Sequence, residues 1–333
     1  MKIDYHVHLE EGPYSLRWLD RTNQAISHFK KEAPMKHTKA WLAHSMDQLN
    51  FRLSAGAYSK EWLRFYLKKA KELGIQEVGI VDHLYRFTDT RSYFETYMTM
   101  DETELGKKQR LWLDQVMTEN IEEFVHTIEE AKVEWEQEGI ALRLGIEADY
   151  FPGGEKWLKP YLDRYPWDYI IGSTHFVEGW GFDNPEAKEK FNEYHLLELY
   201  ERFFGAVEQS IRSRLFDFVA HLDNLKVFNH RPHESELLSF YEQIAQALVE
   251  TDTATEINSG LYYRYPVKEM CPSPTFLSIL IQHGVKFTTS SDSHFPDDVG
   301  SYTDQGKKML AQYGVKELCT FKQRQRIMKP IIE

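Results

Sequence analysis

The sequence predicts an α/β protein, a distorted seven-stranded (β/α) barrel of TIM-like type with two helical insertions. Seven short apolar runs have the length and composition of strands. Helix-like stretches lie between them, and this alternation indicates parallel strands joined by crossovers. Neither the GxGxxG pattern nor the P-loop of nucleotide-binding open sheets is present, which favours a barrel.

The predicted strands are short runs rich in aliphatic and β-branched residues. They span 2–9, 77–84, 142–150, 168–176, 216–225, 254–260 and 285–295. The predicted helices have apolar residues at helical spacing and span 60–74, 118–139, 234–251 and 273–284. Gly74 and Gly139 are placed to end the first two helices, and Ser273 with Pro274 is placed to begin the last one.

Two connections are longer than ordinary crossovers and cover about 17–58 and 85–117. We predict that both are helical insertions over one rim of the barrel, where they serve as a lid, as decoration or as an oligomer contact. The chain has 333 residues, a length that fits either two ordinary domains or one barrel with insertions. We predict a single barrel domain over 1–333, and the sequence gives no oligomeric state.

Composition narrows the classes of function. The net charge of −12 opposes binding to nucleic-acid backbones. The hydrophobic fraction of 42% and the mean hydropathy of −0.55 fit a soluble globular protein. No apolar run reaches the roughly 18 residues of a membrane helix, and the N-terminus lacks the pattern of a signal peptide. The two cysteines, Cys271 and Cys319, are predicted to be reduced thiols of a cytoplasmic protein.

Side chains that can bind metals recur where the predicted strands end. His6 and His8 are two residues apart in the first strand, so they face the same way. This pair alone is weak evidence for a metal site. However, six of the seven predicted strands end in His, Asp or Glu. The active sites of parallel barrels lie at the carboxyl ends of the strands, so these side chains are expected to meet there. The sixth strand offers Glu256 and Asn258, which are weaker ligands. The predicted ligands are His6, His8, His83, Glu147, His175, His221, Asp292 and His294.

The donor set mixes imidazoles with carboxylates and lacks clustered thiolates. It therefore suits zinc, iron or manganese better than calcium or magnesium. Eight protein ligands are too many for one ion, whose roughly four to six donors include water. We predict two or three divalent metal ions, with a carboxylate such as Glu147 bridging two of them about 4 Å apart.

The order HxH, DH, GxE, STH, AHLD and SDSH along the chain resembles the PHP family, the polymerase-and-histidinol-phosphatase metallohydrolases. The stretch from Glu256 to Gly300 looks like the histidinol-phosphatase branch of that family. The resemblance implies a distorted seven-stranded barrel with up to three metals. The implied sites are His6, His8, Glu147 and Asp292 for the first metal, Glu147, His175 and His221 for the second, and His83, His294 and a ligand from the loop after HxH for the third.

The sequence departs from the family pattern at that last ligand. The loop is LEEGPYSL, and Tyr14 falls near the expected position. Glu10 or Glu11 can substitute, and we prefer Glu11.

The resemblance further implies a phosphomonoesterase, with L-histidinol phosphate of histidine biosynthesis as the expected substrate. Glu147 is expected to bridge two metals, and Asp292 and His294 to act as ligands or as the general acid. The predicted phosphate-binding cations, which follow strand ends, are Arg17, Lys226 and Arg264.

Three other functions remain open. The first is a phosphoesterase or nuclease of the same family that acts on nucleotides, DNA ends or another small ester; the net charge disfavours polynucleotides. The second is an amidohydrolase-like C–N hydrolase, but such enzymes usually add a strand-tip lysine, and none is present in this sequence. The third is a non-catalytic metal-binding scaffold, although structural metal sites are normally closed and single.

Overall fold

The computed structural model describes residues 1–31 and 33–331. Residue 32, within the first predicted insertion, and residues 332 and 333 lie outside the described part. The strands are β1 (Ile3–His8), β2 (Glu77–Val81), β3 (Ala141–Asp149), β4 (Tyr169–Ser173), β5 (Phe176–Val177), β6 (Trp180–Gly181), β7 (Phe218–Val219), β8 (Ala254–Asn258), β9 (Phe287–Ser290), β10 (Glu317–Lys322) and β11 (Gln325–Pro330). The α-helices are α1 (Leu16–Phe29), α2 (Lys39–Ser54), α3 (Lys60–Leu73), α4 (Arg91–Tyr97), α5 (Glu104–Val116), α6 (Ile121–Gln137), α7 (Glu155–Leu162), α8 (Leu196–Arg212), α9 (Leu238–Thr251), α10 (Gly260–Arg264), α11 (Pro274–Gln282) and α12 (Thr303–Gln312).

Seven strands form one parallel sheet in the order β1-β2-β3-β4-β7-β8-β9. The two ends of this sheet meet just beyond β9. Val7 bridges Ser293 in parallel register, and the backbone N–H of His8 donates to the carbonyl of Ser293 at 2.7 Å. The sheet is therefore a nearly closed barrel surrounded by helices, which confirms the predicted distorted TIM-like fold.

Several predicted strands are longer than the strands in the structure. Of the predicted run 216–225, only Phe218–Val219 belongs to the ladder, and β4 ends at Ser173. The residues that leave the ladder include His175 and His221. His221 has a φ of 26°, which a regular strand does not allow. The ligands at these two positions are thus held by the loops that follow the strands.

The four predicted helices correspond to α3, α6, α9 and α11. Gly74 ends α3 in the left-handed conformation with a φ of 66°, and the hydroxyl of Ser273 caps the start of α11. Helix α9 begins at Leu238, later than predicted, because residues 234–236 form a separate 3₁₀ turn. The apolar face of α8 also packs on the barrel, although we did not predict this helix.

Both predicted insertions are helical. The first contains α1 and α2, and the second contains α4 and α5. A buried ion pair anchors the first insertion to the barrel, because Arg52 of α2 donates to the Glu10 carboxylate at 2.6 Å. Trp18 of α1 donates its indole N–H to the other oxygen of Glu10 at 2.5 Å. These contacts hold the insertion against the loop that follows β1.

Aromatic packing closes the amino-terminal end of the barrel. The ring centroids of Tyr5 and Tyr169 are 5.0 Å apart, and that of Phe321 lies 5.6 Å from Tyr5. Phe321 belongs to the antiparallel hairpin β10–β11, and its backbone N–H donates to the Tyr5 hydroxyl at 2.8 Å. We did not predict this hairpin, because its turn places Gln323 and Arg324 at positive φ without glycine or asparagine.

Within the described residues, no helix combines the length and the apolar composition that crossing a membrane requires.

The ring of Tyr169 fits because Gly145 has no side chain. A Cβ at Gly145 would lie 2.4 Å from Cζ of Tyr169, closer than non-bonded carbons pack. We predict that Gly145→Ala lowers the free energy of unfolding by about 1–3 kcal/mol. The matched control is Gly205→Ala in α8, where a Cβ meets nothing within 4 Å and should stabilise the helix by about 0.5–1 kcal/mol. Equal unfolding midpoints for wild type and Gly145→Ala would contradict the tight packing.

Candidate metal centre

The carboxylate of Glu147 lies among five imidazoles at the mouth of the barrel. Glu147 extends from β3 and is fully buried. The distances from its oxygens to the ring nitrogens are 3.1 Å for His6, 3.3 Å for His8, 2.8 Å for His83, 3.6 Å for His175 and 3.1 Å for His221. One carboxylate therefore contacts imidazoles from four different parts of the barrel, because only His6 and His8 share a strand.

Asp292 and His294 complete the cluster. The rings of His83 and His294 each stack against that of His8 with centroids 4.2 Å from it, and their own centroids are 5.7 Å apart. Asp292 Oδ1 lies 3.7 Å from Nε2 of His8. Three groups have donor atoms within 4.8 Å of one another, namely His6, His8 and Asp292; His83, Glu147 and His175; and His8, His83 and His294. The structure thus brings all eight predicted histidine and carboxylate ligands together.

Unpaired polar atoms show that the cluster fits a metal. The buried atoms without a hydrogen-bond partner include Nε2 of His6, both ring nitrogens of His8, Nδ1 of His83 and Oε2 of Glu147. Leaving a buried donor or acceptor unsatisfied costs about 1–3 kcal/mol. Imidazole and carboxylate donors that converge in this way match zinc, iron or manganese. The residues present therefore fit divalent metal ions.

Two further carboxylates orient the ligand rings. Asp149 Oδ1 lies 2.7 Å from Nδ1 of His175, and Glu256 Oε2 lies 3.1 Å from Nδ1 of His6. Such pairs fix the tautomer and leave Nε2 free for a metal. We had not assigned this role to either residue, although Asp149 follows Glu147 by two positions on the same strand and therefore faces the same way.

The electrostatics of the cluster favour the metal-binding protonation states of Glu147 and His8. Burial raises the pKa of Glu147, but His83 and His6 bring that pKa well below its usual range. The pKa of His8 lies well below its usual range because the ring is buried beside His83 and His294. An ionised carboxylate and a neutral imidazole are the forms that donate electron pairs to a metal. The pKa of His175 is affected differently, because burial lowers it but Asp149 raises it to about 10.

The loops hold Asp292 in a conformation that non-glycine residues adopt rarely. Its φ is 52°, and its Oδ2 forms an ion pair with Arg264 Nη2 at 2.7 Å. Residues in such sparsely populated backbone regions concentrate at functional sites, where the surrounding structure holds them. Here the turn directs Oδ1 of Asp292 toward His6 and His8.

A cleft of about 340 Å³ opens above the cluster. Trp18 of the first insertion and Trp112 of the second insertion both line it. Asp183, which follows β6, and Arg264, at the end of α10, line it as well. The two insertions therefore form part of the cleft wall, which is consistent with their predicted position over one rim of the barrel.

Two of the three predicted phosphate-binding cations line the cleft. The Arg264 side chain is largely buried, and its Nε has no hydrogen-bond partner while Nη2 contacts Asp292. Arg17 lies on the rim with 56% of its side chain exposed, and its Nη2 is 3.4 Å from Glu11. Arg264 is thus placed beside the metal ligands, and Arg17 is farther out.

The structure contradicts the prediction that Lys226 binds phosphate. Its buried ammonium group donates to Asp223 at 2.8 Å and to the carbonyl of Met270 at 2.7 Å, and it contacts Glu269 at 2.8 Å. Lys226 does not line the cleft. The chain forms a 3₁₀ turn after β7, which directs this lysine into the protein.

The loop after β1 distinguishes the two glutamates considered for the third metal. Glu10 is occupied by the contacts with Arg52 and Trp18. Glu11 lines the cleft, and its Oε2 is buried without a hydrogen-bond partner. Glu11 is not among the three donor groups, so its role as a ligand stays a prediction.

The barrel with its cluster of imidazoles and carboxylates defines a metal-binding (β/α) protein of the PHP type. Residues 56–260 match the model of the PHP domain, more than half of the chain. The chain therefore belongs to the PHP domain family.

Within the PHP domain family, this chain is similar in sequence to proteins named as histidinol-phosphatases. The "Probable histidinol-phosphatase" of Deinococcus radiodurans is 34% identical over 223 residues, which are 66% of this chain and 82% of that protein. A protein of the same name from Clostridium acetobutylicum is 24% identical over 249 residues, 70% of this chain and 93% of its own. The crystal structure of histidinol phosphate phosphatase from Lactococcus lactis, complexed with zinc, L-histidinol and phosphate, has a TM-score of 0.65 at 17% identity and covers 98% of both chains. At that identity the structural likeness shows the fold alone.

We predict that Asp149→Asn weakens binding of a divalent metal about 10- to 100-fold, because the amide no longer holds His175 in the required tautomer. Competition of bound zinc with a chromogenic chelator measures this change. Asp163→Asn is the matched control, since this carboxylate is exposed and pairs only with Lys159. Equal zinc affinities in the wild type and Asp149→Asn would contradict the orienting role.

Proposed function

We propose that this chain is a metal-dependent phosphomonoesterase that hydrolyses L-histidinol phosphate to L-histidinol and phosphate. The observation that carries the proposal is the buried Glu147 carboxylate among five imidazoles, with Arg264 lining the adjoining cleft. The relatives named as histidinol-phosphatases support the choice of substrate.

The proposed metal ligands are the sets that the family resemblance implies, and they overlap the observed donor groups. The residues are His6, His8, Glu147 and Asp292 for one ion, Glu147, His175 and His221 for a second, and His83, His294 and Glu11 for a third. Bound divalent ions would lower the pKa of a water molecule and neutralise charge on the phosphate oxygens. Zinc, manganese and iron all suit these donors.

Arg264 is the proposed phosphate-binding residue of the chain. One of its nitrogens holds Asp292, and its Nε is unpaired. A guanidinium has five N–H donors in a plane, so it can keep Asp292 in place and still donate to phosphate oxygens. Arg17, on the rim, is proposed to attract the phosphate as it enters.

The leaving alkoxide must receive a proton. The pKa of His294 lies well below its usual range because the ring is buried near Arg264 and His83, so it serves better as a ligand than as an acid. Asp292 is the better candidate. Its Oδ1 faces His6 and His8 and is the proposed ligand atom, while Oδ2 contacts Arg264 and Asn258. Oδ2 is the oxygen proposed to take a proton from the attacking water and to pass it to the leaving oxygen.

We also propose that the reaction belongs to histidine biosynthesis in the cytoplasm, where a reducing environment suits the free and buried Cys271 and Cys319. Among the described residues, no lysine lines the cleft, so the site does not favour an amidohydrolase-like C–N hydrolase. Nucleotide esters are the other phosphoesters to be tested.

We predict that the protein releases phosphate from L-histidinol phosphate when zinc or manganese is supplied, faster than from nucleotides or phosphodiesters. Removing the metals with a chelator should abolish the activity, and adding them back should restore it. Asp292→Asn should lower kcat about 10²- to 10⁴-fold, the range for loss of a general acid or base. Asp304→Asn, an exposed carboxylate that pairs with Lys2, is the control.

Faster release from another ester would keep the metal mechanism and reject the substrate. Release that survives chelation and Asp292→Asn would reject the proposed function.

We predict that Arg264→Lys lowers kcat/KM for L-histidinol phosphate about 10- to 100-fold, because lysine cannot hold Asp292 and phosphate together. The inhibition constant of inorganic phosphate should rise in the same variant, because phosphate binds more weakly. Arg231→Lys is the control, since Arg231 pairs with Glu269 and does not line the cleft. An unchanged phosphate inhibition constant would show that Arg264 does not bind phosphate.

A further inference from the structure

One wall of the cleft combines aromatic rings with an acidic side chain. The second insertion contributes Tyr85 and Trp112, whose ring centroids are 4.9 Å apart. Tyr85 also stacks on the ligand His83 at 4.5 Å with an interplanar angle of 13°. The wall therefore begins directly beside the metal ligands.

The hairpin β5–β6 is fixed to this insertion. The side-chain amide of Gln109 in α5 donates to the carbonyl of Gly179 at 2.8 Å and accepts from the N–H of Gly181 at 2.7 Å. The N–H of Thr99 donates to the same carbonyl of Gly179 at 2.9 Å. Gln109 is buried, so these hydrogen bonds are shielded from water. These hydrogen bonds join α5 to the hairpin, so they fix the position of Asp183, just after β6, relative to Trp112 on α5.

Two acidic residues after β6 line the cleft, namely Asp183 and the more exposed Glu186. Among the described residues, no cation lies within ion-pairing distance of Asp183. Tyr85, Trp112 and Tyr265 line the same cleft, so this carboxylate shares the cleft with aromatic rings.

The neighbouring metal ligands do not use Asp183. It belongs to none of the donor groups whose atoms approach one another within 4.8 Å. A carboxylate that lines a cleft, with no partner and no metal-binding geometry, is suited to a cationic group of a bound molecule. In L-histidinol phosphate that group is the ammonium, and the planar imidazole suits the rings of Tyr85 and Trp112.

We propose that Asp183 determines specificity by binding the ammonium group of the substrate while Arg264 binds its phosphate. This inference rests on the proposed function, and it deepens it by assigning the non-phosphate end of the substrate. The cleft then has a cation beside the metal ligands and an anion on the hairpin wall, which complements a zwitterionic phosphate ester.

The test compares L-histidinol phosphate with its deamino analogue, imidazolylpropyl phosphate, for the metal-loaded wild type and Asp183→Asn. For L-histidinol phosphate, Asp183→Asn should lower kcat/KM about 10- to 100-fold, mostly through KM, because a charge-assisted hydrogen bond is lost. For the deamino analogue, the kcat/KM values of wild type and Asp183→Asn should agree within about twofold. Asp183→Glu should recover part of the loss, and the bound metal content should stay unchanged.

Glu178→Gln is the matched control, because Glu178 lies in the turn between β5 and β6, is 55% exposed and pairs with Arg202 outside the cleft. An equal loss on both substrates would overturn the inference and make Asp183 a catalytic or metal-binding group. No loss on either substrate would also overturn it. In both cases wild-type turnover of L-histidinol phosphate would leave the proposed function standing, whereas wild type that hydrolyses only other esters would reject both.

Discussion

The structure depends on one buried charge, the carboxylate of Glu147. A carboxylate without water is unstable unless opposite charge or hydrogen bonds compensate it. Here the compensation comes from five imidazoles within 4 Å, which belong to four strands or the loops that follow them. Glu147 lies on β3, and the imidazoles come from strands up to two positions away on either side, as far as β1 and β7. One carboxylate meets all of them because the sheet curves into a nearly closed barrel. The fold thus assembles the donors, and divalent metal would satisfy them.

The amino-terminal end of the barrel is packed with aromatic rings, whereas the carboxyl end holds the polar site. At the amino-terminal end, Tyr5, Tyr169 and Phe321 fill the interior with aromatic rings, so this end contributes stability. At the carboxyl end, the strands stop early and irregular loops hold the polar groups. The buried pair of Arg52 and Glu10, and the amide of Gln109, fasten the two insertions to those loops. The loops and insertions that line the cleft are therefore held in place, although they are connections between strands and helices.

The fold class and the clustering of the eight histidine and carboxylate residues could be predicted because both follow from simple periodicity. Alternating strands and helices gave the barrel, and polar residues at the strand ends gave the cluster. The hairpin β10–β11 escaped prediction, since Gln323 and Arg324 carry no turn pattern. Lys226 was wrongly assigned because sequence position cannot show which way a 3₁₀ turn directs a side chain. Asp183 lies in an irregular segment, where only the folded contacts reveal that it lines the cleft.

The central claim is that Glu147 joins the metal sites, and the metal content of Glu147→Gln tests it most directly. The amide has almost the same shape but cannot carry the charge that several imidazoles surround. Elemental analysis after dialysis should find two or three divalent ions per wild-type chain and at most one in Glu147→Gln, with both proteins folded by circular dichroism. The same number of ions in folded Glu147→Gln would contradict the account, because the metals would then not depend on the shared carboxylate.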